Sequence, residues 1–330
     1  MIRIAVLGAG RIGRIHAANA AANPRCRLIA VADTMASAAT ALAARHGAEA
    51  ATDPSAVLAR PDLDAVVIGT PTDTHVDLLL EAARRGKAVL CEKPVDLEIR
   101  KVDAAIAEAS RLGARAMVAF NRRFDPSAAA LRAAIDRGEI GEVRQVILTS
   151  RDPEPPPPSY VASSGGIFRD MTIHDFDLAR WLLGEEPNEV FATAGALVDP
   201  AIGQAGDFDT LMIVMRTASG RQCHINNCRQ ASYGYDQRIE VFGARGMLLN
   251  DNLRPSTLRR YDSQATEIRE PLLNFFLERY QDAYRLELDA FLAAVEAKQP
   301  MPLTLEDGRR ALRLADAALE SANSARAVKV

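Results

Sequence analysis

Ile2-Arg3-Ile4-Ala5-Val6-Leu7-Gly8-Ala9-Gly10-Arg11-Ile12-Gly13 opens the chain. The apolar run Ile2–Leu7 predicts a buried strand and residues 12–23 predict a helix, so the glycines fall on the turn between them. In a G-x-G-x-x-G turn, Gly8 makes the tight bend and Gly10 lets the backbone approach a pyrophosphate. Gly13 lets the helix pack closely on the strand. The helix N-terminus then presents free N–H groups, and the positive end of its dipole, to phosphate. Taken alone the motif is weak. Here it has its strand–turn–helix setting, and Asp33 lies 20 residues after Gly13, at the end of the next predicted strand. A carboxylate there hydrogen-bonds an adenosine ribose.

Working outward, strands are predicted at 27–32, 65–69, 88–91 and 115–119, and helices at 37–46, 74–85 and 102–111. Strands alternating with helices through short connections give a doubly wound parallel sheet, so residues 1–120 read as a dinucleotide-binding domain. Asp33 would repel a 2′-phosphate and no arginine follows in Thr34-Met35-Ala36-Ser37, which favours NAD over NADP. The competing reading is an aspartate that only caps the next helix. Thr70-Pro71-Thr72-Asp73-Thr74-His75 and Glu92-Lys93-Pro94 follow the third and fourth strands, at the carboxyl edge where such sheets bind ligands. Capping by Asp73 or Thr74, and a solvated Lys93, are the plainer alternatives.

The pattern changes after residue 121. A helix at 128–136 and a strand at 143–150 precede a loop at 151–164, where the 155–158 proline tract favours a stiff extended segment. One helix is predicted from 167 to 183, ending at Gly184. Strands at 190–197, 210–216, 221–229, 238–242 and 247–249 then follow one another, with two closing helices at 274–297 and 305–321. Consecutive strands with short turns predict an open, mostly antiparallel sheet, so residues 121–330 form a second α/β domain.

Asp170, His174 and Asp177 are spaced i, i+4, i+7, which on one helix places them on one face. A carboxylate beside an imidazole orients the ring and stabilises imidazolium, as a general base requires. A satisfied core histidine flanked by surface aspartates is the alternative. His16, His46, His75 and His224 form no metal-ligand cluster, so no metal is expected. Residues 121–125, 150–153 and 233–237 are dense in polar and aromatic groups suited to a polyhydroxylated ligand, or to ordinary surface packing.

Composition sets the outer bounds. Lys and Arg total 40 against 43 Asp and Glu, a net charge of −3, which gives no electrostatic footprint for nucleic acid or an anionic membrane. Cys26, Cys91, Cys223 and Cys228 show no C-x-x-C spacing, as in reduced cytosolic thiols. The short apolar start lacks the length of a signal peptide, so a cytoplasmic protein is expected.

These blocks together resemble the inositol 2-dehydrogenase branch of the glucose–fructose oxidoreductase / inositol dehydrogenase family. Glu92-Lys93-Pro94 marks the broad family. Asn121-Arg122-Arg123-Phe124-Asp125, and Gly166-Ile167-Phe168-Arg169-Asp170 followed by Ile173-His174-Asp175, are narrower signals. The resemblance implies an N-terminal Rossmann domain and a C-terminal α/β domain whose open sheet joins subunits, commonly in homotetramers. It implies an NAD site made by Gly8, Gly10, Arg11, Ile12, Gly13, Asp33, Thr70, Pro71, Thr72, His75, Glu92 and Lys93. It implies a catalytic group of Lys93, Asp170 and His174, with Arg123, Asp177, Tyr233 and Tyr235 contacting the remaining hydroxyls of a polyol substrate. In that reading His174 removes the hydroxyl proton, Asp170 orients it, and Lys93 hydrogen-bonds the same oxygen through a cis Lys93–Pro94 turn. The implied reaction is NAD-dependent oxidation of myo-inositol to 2-keto-myo-inositol (scyllo-inosose) with NADH. Another inositol isomer or a cyclic sugar is the alternative substrate, and a non-catalytic NAD-binding regulator the alternative role. The proline-rich loop at 154–164 departs from the family pattern.

Overall fold

Six parallel strands form the first sheet: β1 (Ile2–Leu7), β2 (Cys26–Ala32), β3 (Glu49–Ala51), β4 (Ala65–Ile68), β5 (Ala88–Glu92) and β6 (Ala116–Ala119). They lie in the order β3-β2-β1-β4-β5-β6, and every pair is parallel. The computed structural model describes the backbone of residues 1–330 and all side chains except those of Pro158 and Ala162. Helices α1 (Arg11–Ala22), α2 (Ala36–His46), α3 (Pro54–Leu58), α4 (His75–Arg84) and α5 (Ile99–Arg111) make the connections. Val6, Val31, Val67 and Leu90 are completely buried, as expected of strands covered on both faces. Strand order reverses between β1 and β4, so the carboxyl ends of these two strands open the crevice where such sheets take ligands.

The second sheet has seven strands: β7 (Val143–Arg151), β8 (Pro187–Gly195), β9 (Thr210–Thr217), β10 (Gln222–Cys228), β11 (Asp236–Gly243), β12 (Gly246–Asn250) and the short β15 (Val328–Lys329). Their order is β12-β11-β7-β10-β9-β8-β15. The β7–β10 pair is parallel and the others are antiparallel, a mixed sheet. Strands β13 (Arg259–Arg260) and β14 (Ile268–Arg269) form a separate small hairpin. The helices here are α6 (Pro126–Asp136), α7 (Pro158–Ser164), α8 (Gly166–Asp170), α9 (Ile173–Leu183), α10 (Pro200–Gln204) and α11 (Phe276–Arg279), followed by α12 (Gln281–Ala297) and α13 (Leu305–Ser324). The chain divides into two compact units: residues 1–124 with 282–312, and residues 125–281 with 313–330. The first unit thus takes in a late segment that a single cut near residue 120 does not describe. No helix is long and apolar enough to cross a membrane among the described residues.

Several segments differ from the sequence expectation: β3, α3 and α10 are additional to it, and the closing helix expected over 274–297 is divided into α11 and α12. The single helix expected over 167–183 is two helices, interrupted at Met171 and Thr172. The Thr172 N–H bonds the Ile167 carbonyl, five residues back, at 2.9 Å, one residue longer than an α-helical bond. Its hydroxyl is meanwhile drawn to Asn227 Oδ1 at 2.6 Å. The loop expected over 151–164 contains α7, which starts at Pro158. A proline is tolerated there because the first turn of a helix has no use for its missing N–H.

Candidate active site

The candidate residues of the first unit are held mainly by backbone. Gly8 has φ +98°, and a Cβ on it would lie 2.4 Å from the Gly69 carbonyl oxygen. A Cβ on Gly13 would lie 1.8 Å from the Gly8 carbonyl oxygen. The turn, the first turn of α1 and the segment after β4 therefore meet at positions with no room for a side chain. At Gly10 a Cβ would meet nothing within 4 Å. Gly10 is also the N-cap of α1 and supplies no side-chain bond to it, so the first N–H groups of α1 are not capped by a side chain. That arrangement suits a pyrophosphate. Arg11 and Ile12 occupy the first two positions of the helix.

Asp33 follows β2, and its carboxylate is fixed at both oxygens. Oδ2 accepts the Ala9 N–H at 2.7 Å and Oδ1 accepts the Met35 N–H at 2.8 Å. The residue thus braces the glycine turn and also shapes the entry to α2. After β4, the Thr70 and Thr74 hydroxyls bond each other at 2.6 Å, and Thr74 donates to the Pro71 carbonyl at 2.7 Å. Pro71 and Thr72 are held in this tight turn. His75 is buried and its ring spans two loops, with Nδ1 2.9 Å from the Pro94 carbonyl and Nε2 2.9 Å from the Thr70 carbonyl. It ties the Thr70 turn to the Lys93–Pro94 turn, whose peptide bond is cis.

Glu92, expected as a cofactor contact, is itself buried. Its Oε1 lies 2.8 Å from Nε2 of the fully buried His16, and Oε2 accepts the Lys93 N–H at 3.3 Å. Glu287 on α12 is also completely buried. Burial, with the Glu92 carboxylate adding to it, pushes the Glu287 carboxyl well above its usual range. Neither His16 nor Glu287 belongs to any motif; only their spatial meeting with Glu92 reveals them. Arg123 is mostly buried and pairs with Asp307 at 3.2 Å.

In the second unit, side chains do the positioning. Asp175, at the start of α9, is buried and accepts hydrogen bonds from Ser150 Oγ at 2.7 Å and Asn227 Nδ2 at 2.9 Å. Ser150 and Asn227 face each other across the parallel β7–β10 pair. Together with Thr172 they fasten the first turn of α9 to the sheet. A buried polar group left without such partners costs about 1–3 kcal/mol, so the network defines one position for the helix. From Ile173 to Leu183 the helix is buried except at His174 and Trp181.

Asp170 lies at the end of α8, before the break, and His174 just after it. Asp177 is buried on α9, with Arg180 Nη1 3.6 Å from its Oδ1. The three residues therefore do not share one uninterrupted helix. Tyr235 is buried in edge-to-face contact with Phe275 and Tyr280, at 5.7 and 6.0 Å between ring centroids. Tyr233 is half exposed. Its hydroxyl accepts from Arg151 at 2.8 Å and donates to Asp236 at 2.7 Å. Burial pushes the Asp236 carboxyl up, but bonds from Arg238, Asn252 and Tyr233 outweigh it and hold the group below its usual range.

Comparison with known proteins agrees along the whole chain. Residues 2–120 match the description "Oxidoreductase family, NAD-binding Rossmann fold", and residues 132–330 match "Oxidoreductase family, C-terminal alpha/beta domain". The chain is 50% identical over 329 residues to an inositol 2-dehydrogenase of Rhizobium meliloti strain 1021, covering 100% of this chain and 99% of the relative. A crystal structure of a myo-inositol dehydrogenase from Corynebacterium glutamicum superposes with a TM-score of 0.97 at 47% identity, covering 100% of this chain and 99% of the other. The scyllo-inositol dehydrogenase of Lactobacillus casei, solved with bound NAD(H) and scyllo-inositol, gives 0.93 at 28% identity, covering 100% and 99%. The glycine cradle, the Lys93–Pro94 turn and the mixed C-terminal sheet thus sit on a chain matched from end to end, and the chain belongs to the GFO/IDH/MocA oxidoreductase family.

Proposed function

We propose that the protein is an NAD-dependent inositol dehydrogenase that converts myo-inositol to 2-keto-myo-inositol. The observation that carries this reading is the end-to-end likeness to an inositol 2-dehydrogenase at 50% identity. The glycine cradle would hold the pyrophosphate, and Asp33, fixed by the Ala9 and Met35 N–H groups, would accept from the adenosine ribose and disfavour a 2′-phosphate. Bound NAD supplies the hydride acceptor. His174 takes the proton of the substrate hydroxyl as general base, Asp170 orients and charge-balances it, and Lys93 hydrogen-bonds the same oxygen. His174 suits that task because it is partly exposed in a helix that is otherwise almost wholly buried. Arg123, Asp177, Tyr233 and Tyr235 position the other hydroxyls, directly or through their neighbours.

The same reading includes assembly. In register across the second sheet, Phe191 stands beside Val214, and the same row runs on through His224, Ile147, Glu240 and Leu249. The four apolar members of the row are exposed, as are Met212, Phe242 and Met247. A sheet face carrying so many exposed large apolar side chains is what a subunit interface covers, here in a homotetramer.

A second reading, scyllo-inositol as substrate, is favoured by the likeness to the Lactobacillus casei dehydrogenase. The test is a panel of inositol isomers and aldoses with NAD and with NADP, following absorbance of the reduced nicotinamide. Turnover of myo-inositol with NAD is expected to exceed that of every other pair. An absence of turnover with any cyclitol, from neutral to alkaline pH, sinks the proposal.

A further inference from the structure

Asp170 is the one proposed catalytic carboxylate, and both its oxygens are engaged. Oδ1 accepts from the Tyr160 hydroxyl at 3.2 Å, and Oδ2 lies 3.3 Å from Nη2 of Arg229. The two partners differ in kind. Tyr160 is exposed, whereas the Arg229 side chain is only 3% exposed against 17% for Asp170. A guanidinium that has left water needs a nearby anion, and Asp170 together with Asp207 supplies it.

The anchorage of this arginine is also built. The Arg229 N–H donates to the carbonyl of Asp209 at 2.8 Å. Asp209 is fully buried and its carboxylate accepts the N–H groups of Leu197, Val198 and Asp199 at 2.8–2.9 Å. The other end of α8 is fixed as well: both oxygens of Asp207 lie 3.1 Å from the Ile167 nitrogen. A Cβ on Gly166 would lie 2.6 Å from Asp207 Oδ1, so this clamp leaves no room for a side chain.

We infer that Arg229 is the positioning residue for Asp170, holding its carboxylate in one orientation. The inference rests on the proposed role of Asp170 in dehydrogenation. Arg229 touches no reacting atom in this reading; it acts only through the carboxylate.

The test is a double-mutant cycle of D170N, R229M and the double variant, with R229K alongside. The kcat is measured with NAD and the cyclitol that the wild type turns over fastest, and folding is checked by thermal unfolding. R229M is expected to lower kcat on the order of 10²-fold, the usual result of misplacing a reacting group. In the D170N background the same change is expected to cost no more than about twofold, because the route through Asp170 is already lost. R229K is expected to recover part of the loss, since an ammonium restores the charge without the fork geometry. Equal losses in both backgrounds, or an R229M enzyme with wild-type kcat, overturn the inference. A fully active D170N overturns the role of Asp170 first, and this inference with it. Should R229M not fold, R229K and R229Q carry the same cycle.

Discussion

The glycine turn of the first unit and the α8–α9 break of the second solve one problem, holding reactive groups still, with different materials. The turn relies on backbone: Gly13 cannot carry a Cβ because the Gly8 carbonyl occupies that place, and among the described residues the Asp33 carboxylate bonds main-chain N–H groups. The break relies on side chains distant in sequence, with Asp175, Ser150, Asn227 and Thr172 bonded to one another. Backbone geometry tolerates many side chains but few added atoms. A side-chain network tolerates changes of shape poorly and depends on every member.

The sharpest way to break this comparison is to remove the proposed base. His174→Ala is expected to lower kcat by about 10²–10⁴-fold, the usual contribution of a general base, while NAD affinity measured by calorimetry stays near wild type. Unchanged turnover removes His174 from its role. A parallel fall in NAD affinity places the residue on the cofactor side instead.

The next largest effect falls on the backbone side. Gly13→Ala is expected to weaken NAD binding by about tenfold or more, equivalent to about 1.4 kcal/mol, and to lower the Tm, since the turn must open to admit a methyl group. Gly10→Ala, whose Cβ meets nothing within 4 Å, is expected to keep the wild-type Tm and lose NAD affinity alone. If both variants bind NAD as tightly as the wild type, the turn is not a phosphate cradle. Thermal unfolding with and without NAD reads both quantities.

The contrast also explains what the sequence discloses. The first sheet is legible because each main strand is a short apolar run and each connection a helix, so local pattern and final topology agree. Strand β3 escapes notice because Glu49-Ala50-Ala51 is three residues long and mostly exposed, with neither length nor alternation to mark it. The cofactor positions are legible because glycine spacing is itself the geometry. The α8–α9 break is not, because apolar residues run through it from Ile167 to Leu183 and the interruption is imposed from elsewhere. Ser150 lies 25 positions before Asp175, and Asn227 lies 52 after it. Arg229 and Glu287 are hidden for the same reason: each acquires meaning only from a carboxylate remote in the chain.

Glu287 gives the smallest expected effect and the cleanest test of how such buried side chains behave. It is fully buried, and neither carboxyl oxygen bonds another described residue. Burial first, and the Glu92 carboxylate second, raise its pKa well above 4.5. Glu92 is in turn paired with His16, whose ring stands edge-on to Tyr284 on the same helix as Glu287. In the unfolded chain Glu287 ionises near its ordinary value, so above that value the folded state binds more protons than the unfolded state. The stability it contributes is therefore complete below about pH 4.5 and is lost as pH rises toward the folded value, by at most about 1.4 kcal/mol per pH unit. Glu287→Gln keeps the shape and cannot ionise. The Tm difference between E287Q and wild type is expected to grow in favour of E287Q from about pH 5 to about pH 9. Parallel Tm curves mean that Glu287 ionises in the folded protein much as it does in the unfolded chain. A growing gap means that the helix carries a neutral acid beside the Glu92–His16 pair.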